Sequence, residues 1–263
     1  MKNIKIFIVA SLAWCMLSCG EDTVVDIPTH DESGKIVIEG NATDDGNPCN
    51  VRITKSIKIS DTKSKYISIA NAVVVIRDNK GNSETLRYID GLYKTVNFQT
   101  LNGNIYTLTV NVDGQTYNAT SRMPEYVELD DVIQTTYFNG LGNVIGVVPI
   151  FTDPETSGNR YLFKTYVNNH KAEITVLDDN GENGSVNTIP VSTKPDPVKN
   201  DKVVIEMQSI DSPVYDYFKA LSNVSVQSGG GIVTPSNPPS NFDNGALGYF
   251  SAHTTVTETI IIK

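Results

Sequence analysis

The sequence predicts an all-β protein of two β-sandwich-like domains, the first immunoglobulin- or transthyretin-like and the second carrying one short helix. Three observations lead there. Apolar and polar residues alternate along short runs, the period of a half-buried strand. The pairs Asp90-Gly91, Asn102-Gly103 and Asp113-Gly114 separate such runs, and Asp-Gly between strands marks a tight hairpin because the turn needs positive φ. One segment, Ser212 to Leu221, stands out with helical spacing instead.

The chain opens with a secretion signal over residues 1–18. Lys2 and Lys5 supply a positive n-region, and Ile4 with Ile6 to Leu17 form an apolar stretch. A membrane-spanning helix needs ~20 apolar residues, and this run is shorter and stops at Gly20-Glu21-Asp22. Met16-Leu17-Ser18 runs straight into Cys19, which resembles the bacterial lipobox, with Met16 in place of the most common Leu. That resemblance implies lipidation at Cys19, which becomes the first mature residue. The alternative is an ordinary secretory signal with an incidental cysteine. Residues 19–33 are polar and non-periodic and read as a flexible tether. Glu21 and Asp22 resemble the acidic surface-export signal of some outer-membrane lipoproteins.

Composition narrows the function. Removing Lys2 and Lys5 from 21 basic residues leaves 19 against 30 acidic ones, a mature net charge of about −11. Such a chain does not bind nucleic acid through general phosphate attraction, and it lacks the basic patch that holds a protein on anionic lipid. Of the three cysteines, Cys15 leaves with the signal and Cys19 carries lipid, so Cys49 has no partner for an internal disulfide. No positive group flanks Cys49 in sequence, and it reads as a small buried residue.

Residues 34–124 form the first expected domain. Lys35 to Gly40 is its first strand, and Val51, Ile53 and Ile57 mark the next. Ala72 to Arg77 is a continuous β-branched run suited to a strand buried on both faces. After the turn at Asp78 to Asn82 come Glu84 to Ile89, Leu92 to Val96, Ile105 to Val112 and Gln115 to Arg122. About seven short strands in ~90 residues have the size of an immunoglobulin-like sandwich.

Met123-Pro124 punctuates the chain, and residues 125–263 form the second domain. Its strand candidates are Tyr126 to Phe138, Val144 to Phe151, Tyr161 to Val167, Ala172 to Leu177, Lys202 to Met207 and roughly Tyr249 to Ile262. In the helix, Asp211 or Ser212 can cap and Pro213 suits the first helical position. Val214, Tyr217, Phe218 and Leu221 form one apolar face.

The order of these pieces resembles the domain of unknown function 4249 family, outer-membrane lipoproteins of Gram-negative bacteria. The resemblance is carried by Lys35 to Gly40, Ala72 to Asp78 with Gly81, Gly91-Leu92-Tyr93, Tyr106 to Val110 and Asp113 to Tyr117. Asp153-Pro154, Asn237 to Asn241 and Gly245 to Phe250 complete it, so it covers nearly the whole mature chain. It implies a surface lipoprotein anchored in the outer membrane and facing the cell exterior, beside a TonB-dependent transporter. No catalytic residues are established for the family, so none carry over.

The residues themselves show little catalytic chemistry. His30, His170 and His253 are far apart and no Cys pair exists, which gives a zinc site little support. His253 reads as structural. Asp178 to Asn183 superficially resembles a calcium loop but lacks its spacing and terminal glutamate, and reads as a hairpin turn. No nucleophile elbow, P-loop or dinucleotide fingerprint occurs. No enzyme activity, metal or cofactor is therefore expected. The candidate contact segment is 228–250, a Gly- and Pro-containing loop ending in Gly-Tyr-Phe. Asn237, Asn241, Tyr249 and Phe250 are its candidate ligand or partner contacts. The competing reading is that the loop covers a sheet edge and its rings fill the core, with alternation placing Tyr249 and Phe250 on opposite faces.

The leading expectation is a non-catalytic accessory or substrate-binding partner of the transporter, taking a small molecule, peptide or glycan. The rivals are an adhesin or structural surface module, and a carbohydrate-binding or glycan-processing lipoprotein. A glycosidase needs two carboxylates ~5–10 Å apart in a cleft. A carbohydrate-binding module needs a row of exposed rings, and the single tryptophan, Trp14, leaves with the signal.

Overall fold

Asp113 and Gly114 take φ of 51° and 76°, the left-handed pair that closes a two-residue hairpin whose twist matches its strands. That hairpin joins β7 (Ile105–Val112) to β8 (Gln115–Arg122), and β3 (Val73–Asp78) with β4 (Ser83–Thr85) completes a four-stranded sheet in the order β4-β3-β7-β8. The computed structural model describes residues 33–58, 66–170, 173–179, 181, 183–226 and 237–263. Cys19, the Glu21-Asp22 pair, His30 and nearly all of the tether lie outside the described residues, as do residues 228–236 of the candidate segment.

The remaining strands are β1 (Ile36–Thr43), β2 (Asn50–Lys55), β5 (Arg87–Ile89), β6 (Leu92–Lys94), β9 (Asp131–Phe138), β10 (Asn143–Ile150), β11 (Arg160–Val167), β12 (Glu173–Asp178), β13 (Lys202–Ser209) and β14 (Leu247–Ile261). Among the described residues one helix, α1, spans Ser212–Val226. An eight-stranded sheet runs β12-β11-β13-β14-β1-β2-β6-β5, and β9 pairs with β10 alone.

Alternation builds the first core. Ile36, Ile38 and Ala42 of β1, Val51 and Ile53 of β2, Val74 and Ile76 of β3, and Tyr106, Leu108, Val110 and Val112 of β7 meet in one buried cluster. The run Val73 to Asp78 is buried on one face only, since Val73 is 53% exposed while Val74 and Ile76 are fully covered. The predicted strand Glu84 to Ile89 divides at Leu86. Residues before Leu86 pair with β3, those after it pair with β6, and the Leu86 side chain sits in the core between the two sheets. A tyrosine clip tightens the same half. Tyr93 Oη accepts from Ala72 N at 2.8 Å and donates to Ile69 O at 2.9 Å. Tyr93→Phe keeps the ring and removes both bonds, so it is expected to cost about 1–2 kcal/mol in urea unfolding. An unchanged midpoint would show that the clip adds nothing.

Residues Glu32–Lys263 form one compact unit. The division expected at Met123-Pro124 coincides with the end of β8, but the last strand crosses it. Leu247–His253 pair in parallel with Val37–Thr43 of β1, and Thr254–Ile261 pair antiparallel with Ser209–Lys202 of β13. Phe242, Ala246, Phe250 and Ala252 thereby complete the first core. The second core lies between the β9–β10 hairpin and β11 and β13, with Val147, Phe151, Tyr161, Phe163, Ile205 and Met207 buried. On the opposite face of β11, Leu162 meets Val214, Tyr215 and Phe218 of α1.

Asp211 caps α1. Its Oδ1 accepts from Val214 N at 3.2 Å and its carbonyl from Tyr215 N at 3.0 Å, which puts Pro213 at the second helical position. There its missing N–H is one that the helix leaves unpaired in any case. Tyr215 joins the buried face, while Leu221 stays 37% exposed.

Candidate functional site

The sequence-predicted contacts fall into the scaffold. Asn241 Nδ2 donates to Phe250 O at 2.8 Å, and its Oδ1 accepts from Phe250 N at 2.9 Å. The side chain thus acts as a strand partner for the first part of β14. Phe250 is 1% exposed and fills the first core. Tyr249 points to the other face, with its ring centroid 5.0 Å from that of Tyr217 and 4.9 Å from that of Phe218. Burial, reinforced by the Glu39 charge, pushes the Tyr249 phenol up to about 12. Asn237 is exposed. The structure brings Asn241 and Phe250 together through the backbone, separates Tyr249 from them, and leaves Asn237 apart.

The other residues weighed for chemistry are likewise occupied. Cys49 is buried, which pushes its thiol up to about 11, away from reactive thiolate. Asp178 accepts from the Tyr215 hydroxyl, and Asp179 from the backbone N–H of Gly158, Asn159 and Gly181. Burial raises the Asp179 pKa, but those donors and the Arg160 charge outweigh it, so the net direction is downward. Among the described residues no group of three or more His, Cys, Asp or Glu could hold a metal ion. Ser251 Oγ lies 2.9 Å from His253 Nδ1, a spacing found in nucleophile–base pairs. Both residues are 1% exposed, so no substrate reaches them in this packing.

A different site forms where the two halves meet. Pairing of β11 with β13 sets Tyr161 opposite Ser209, and Ile210 N donates to Arg160 O at 2.9 Å just beyond. Arg160, Ser209 and Asp211 are therefore delivered to one end of the sheet. Asp211 ties that end to the first half, because its Oδ2 accepts from Ser121 Oγ at 2.8 Å and Arg122 N at 2.9 Å. Burial raises the Asp211 pKa against the opposing pull of its hydrogen-bond donors. The loop 154–159 closes one side, held from below by Asp179 and by the buried Asp153, which accepts from the Tyr161 hydroxyl at 2.5 Å.

These elements enclose a cavity of about 410 Å³ lined in part by Arg122, Glu125, Asn159, Arg160, Ser209 and Asp211. Its size lies within the range of small-molecule sites. A second cavity, of about 100 Å³, sits beside Asp153 and Asp179. Arg160 Nη1 donates to Gly158 O at 2.7 Å, and its guanidinium lies 5.3 Å from the Tyr215 ring centroid, on the α1 face of the sheet. Arg160 Nε and Ser209 Oγ are buried without hydrogen-bond partners, the first on the α1 face of the β11–β13 ladder and the second on the face of the second core. The ion pairs among the described residues are Arg52–Glu39, Lys55–Asp113, Lys164–Glu206 and Lys194–Glu173, so neither Arg122 nor Arg160 makes a direct ion pair there, although the Arg160 charge acts on Asp179.

Sequence reasoning missed this site because its lining comes from three separate stretches of chain, 122–127, 154–161 and 209–212. The one available signal was Asp211, legible only as a helix cap.

No curated protein matches the chain. The family model for Domain of unknown function (DUF4249) matches residues 21–259, from just after Cys19 to within the last strand. On that match, which runs through both cores and the cleft between them, the chain belongs to the DUF4249 family.

Proposed function

We propose that the protein is a non-catalytic binding lipoprotein, anchored through Cys19 in the outer membrane, facing the cell exterior, and working beside a TonB-dependent transporter. The observation that carries the binding part is the cavity of about 410 Å³ at the junction of the two halves, with polar lining from Arg122, Asn159 and Asp211. The signal with Cys19 at its end supports the anchor. The mechanism is tethering, in which confinement to the membrane raises the effective concentration of the binding site at the transporter mouth. An anchor of more than one acyl chain gives stable attachment.

The test is a gentle-detergent pull-down of the tagged protein from its native outer membrane, followed by mass spectrometry. A TonB-dependent transporter recovered at equal stoichiometry is the expected result. Recovery of the lipoprotein alone, where other outer-membrane complexes survive, would overturn the stable-complex reading.

One observation favours the adhesin or structural-module reading instead. The β9–β10 hairpin carries no charged residue from Val132 to Thr152, and its tip exposes Tyr137, Phe138 and Leu141, the last at 97%. Exposed apolar groups gathered at one tip suit contact with another surface.

A further inference from the structure

We propose that the open edge of β9 pairs antiparallel with the same strand of a second copy, joining two β9–β10 hairpins into one four-stranded sheet. This goes beyond the accessory reading and gives the exposed hairpin a partner. β10 is covered on its far side, where Val147 bridges to Val191, Thr152 bridges to Val186 and Asn187 Nδ2 donates to Pro149 O. β9 pairs with β10 alone, and among the described residues no strand or bridge lies along its other side. At the tip, Asn139 N donates to Gly142 O at 3.1 Å. Bonding alternates along an antiparallel pair, so the odd-numbered residues of β9 bond to β10 and the backbone groups of Gln134, Thr136 and Phe138 point outward. Lys263 N meets the Gln134 side chain, at Oε1, and not its backbone.

Open edges are normally blunted by short length, charge, proline or cover. The other described edges follow that rule. β4 and β5 are three residues each, β8 is bridged by Phe242 at Ala119, and β12 carries Glu173 and Asp178. Val132 to Phe138, by contrast, is seven residues without charge, proline or glycine, and all but Gln134 are β-branched or aromatic. That composition marks segments that pair with their own kind.

The strand is also complementary to itself. A two-fold axis at Thr135 sets the outward backbone groups of Gln134 against those of the partner subunit's Thr136. It places Ile133 opposite the partner subunit's Tyr137, and Thr135 opposite its own image. An aromatic ring against a β-branched side chain, and a threonine pair, are favourable cross-strand neighbours. Ile133 and Tyr137 are 43% and 44% exposed, so both are accessible before pairing. Charge selects the same place. The chain has a net charge of −9, so two copies repel over most surfaces, whereas no charged residue lies from Val132 to Thr152. Seven residues of edge span about 20 Å, and so short a contact falls below the ~1,200 Å² of a permanent interface, so monomer and dimer exchange.

The test is sedimentation velocity on the full mature chain over a concentration series, with Cys19→Ser to omit the lipid. A dimer with a Kd of roughly 10–100 μM is expected. Thr135→Lys and Thr135→Glu each set two like charges across the axis, and each is expected to weaken the dimer by about tenfold or more. Mixing the two variants is expected to restore it, because Lys then faces Glu. Should either charged variant unfold, Thr135→Cys gives a second reading. Facing cysteines about 4.5 Å apart at Cα are expected to close a disulfide between copies on mild oxidation. Cys49 is buried and does not compete. A parent chain that stays monomeric at about 500 μM, a dimer that ignores both charges, folded variants that stay apart when mixed, or no cross-link at Thr135→Cys would each overturn the proposal. A monomer defeats this pairing and not the contact reading of the tip, and no outcome here bears on transporter recovery.

Discussion

Gly248→Ala is expected to abolish cooperative folding or to cost more than about 4 kcal/mol, the largest effect of a methyl added at any described glycine. Gly248 sits at φ +97° directly beside Ile38 of β1, its parallel partner. A Cβ there would lie 2.0 Å from Ile38 O and 2.8 Å from Ile38 C, both backbone atoms that cannot rotate away. The strand would have to leave the ladder, and Phe250 and Ala252 would leave the first core with it. Strain and collision can be separated with Gly245→Ala. Gly245 also has positive φ, at +75°, but nothing lies within 4 Å of its missing Cβ. That variant is expected to cost only about 1 kcal/mol. Urea unfolding followed by circular dichroism reads both. A Gly248→Ala protein with the parent midpoint would sink the argument, and with it the parallel register of β1 and β14.

Acidification from pH 7 to pH 5 is expected to remove about 2 kcal/mol of stability through His253 alone. Burial lowers its pKa from 6.5 to about 3, with the Lys164 charge acting in the same direction and Ser251 and Asp45 opposing. Between those two values the unfolded chain binds a proton that the folded chain refuses. Stability therefore is fully present above pH 6.5 and falls as pH drops through that window, at up to about 1.4 kcal/mol per unit. His253→Asn is expected to weaken the fold at neutral pH, because it disturbs a packed site bonded to Ser251 Oγ, yet to flatten the slope between pH 7 and 5. His170 is exposed and stays in both proteins, so it does not confound the comparison. Urea midpoints at pH 7, 6 and 5 for the two proteins decide it. Parallel slopes would mean that His253 takes up its proton as readily in the folded as in the unfolded chain.

Most strands were legible because each is a local pattern. Tyr106, Leu108, Val110 and Val112 alternate, an Asp-Gly turn follows, and β7 and β8 pair as that pattern requires. The helix start was legible from Asp211 and Pro213, whereas its end at Val226 lies five residues beyond the apolar face that announced it. Two features escaped for one reason. The division of Glu84 to Ile89 at Leu86 and the double pairing of β14 both depend on which distant strand lies alongside, and hydrophobic period carries no record of a partner.

The candidate site divides in the same way. Opposite facings of Tyr249 and Phe250 followed from the two-residue period of a strand, and the structure sets one ring against α1 and the other in the first core. What Asn241 does required the chain to return beside β14, where its amide takes the place of a backbone partner for Phe250. The sequence by itself determined the all-β class, the turns, the capped helix and the family. Only the tertiary structure decided that β14 bridges the two halves and that Arg160, Ser209, Asp211 and Arg122 surround one cleft. Local propensity follows from neighbours along the chain, whereas a cleft arises from side chains that meet only after long-range strand pairing has joined their segments.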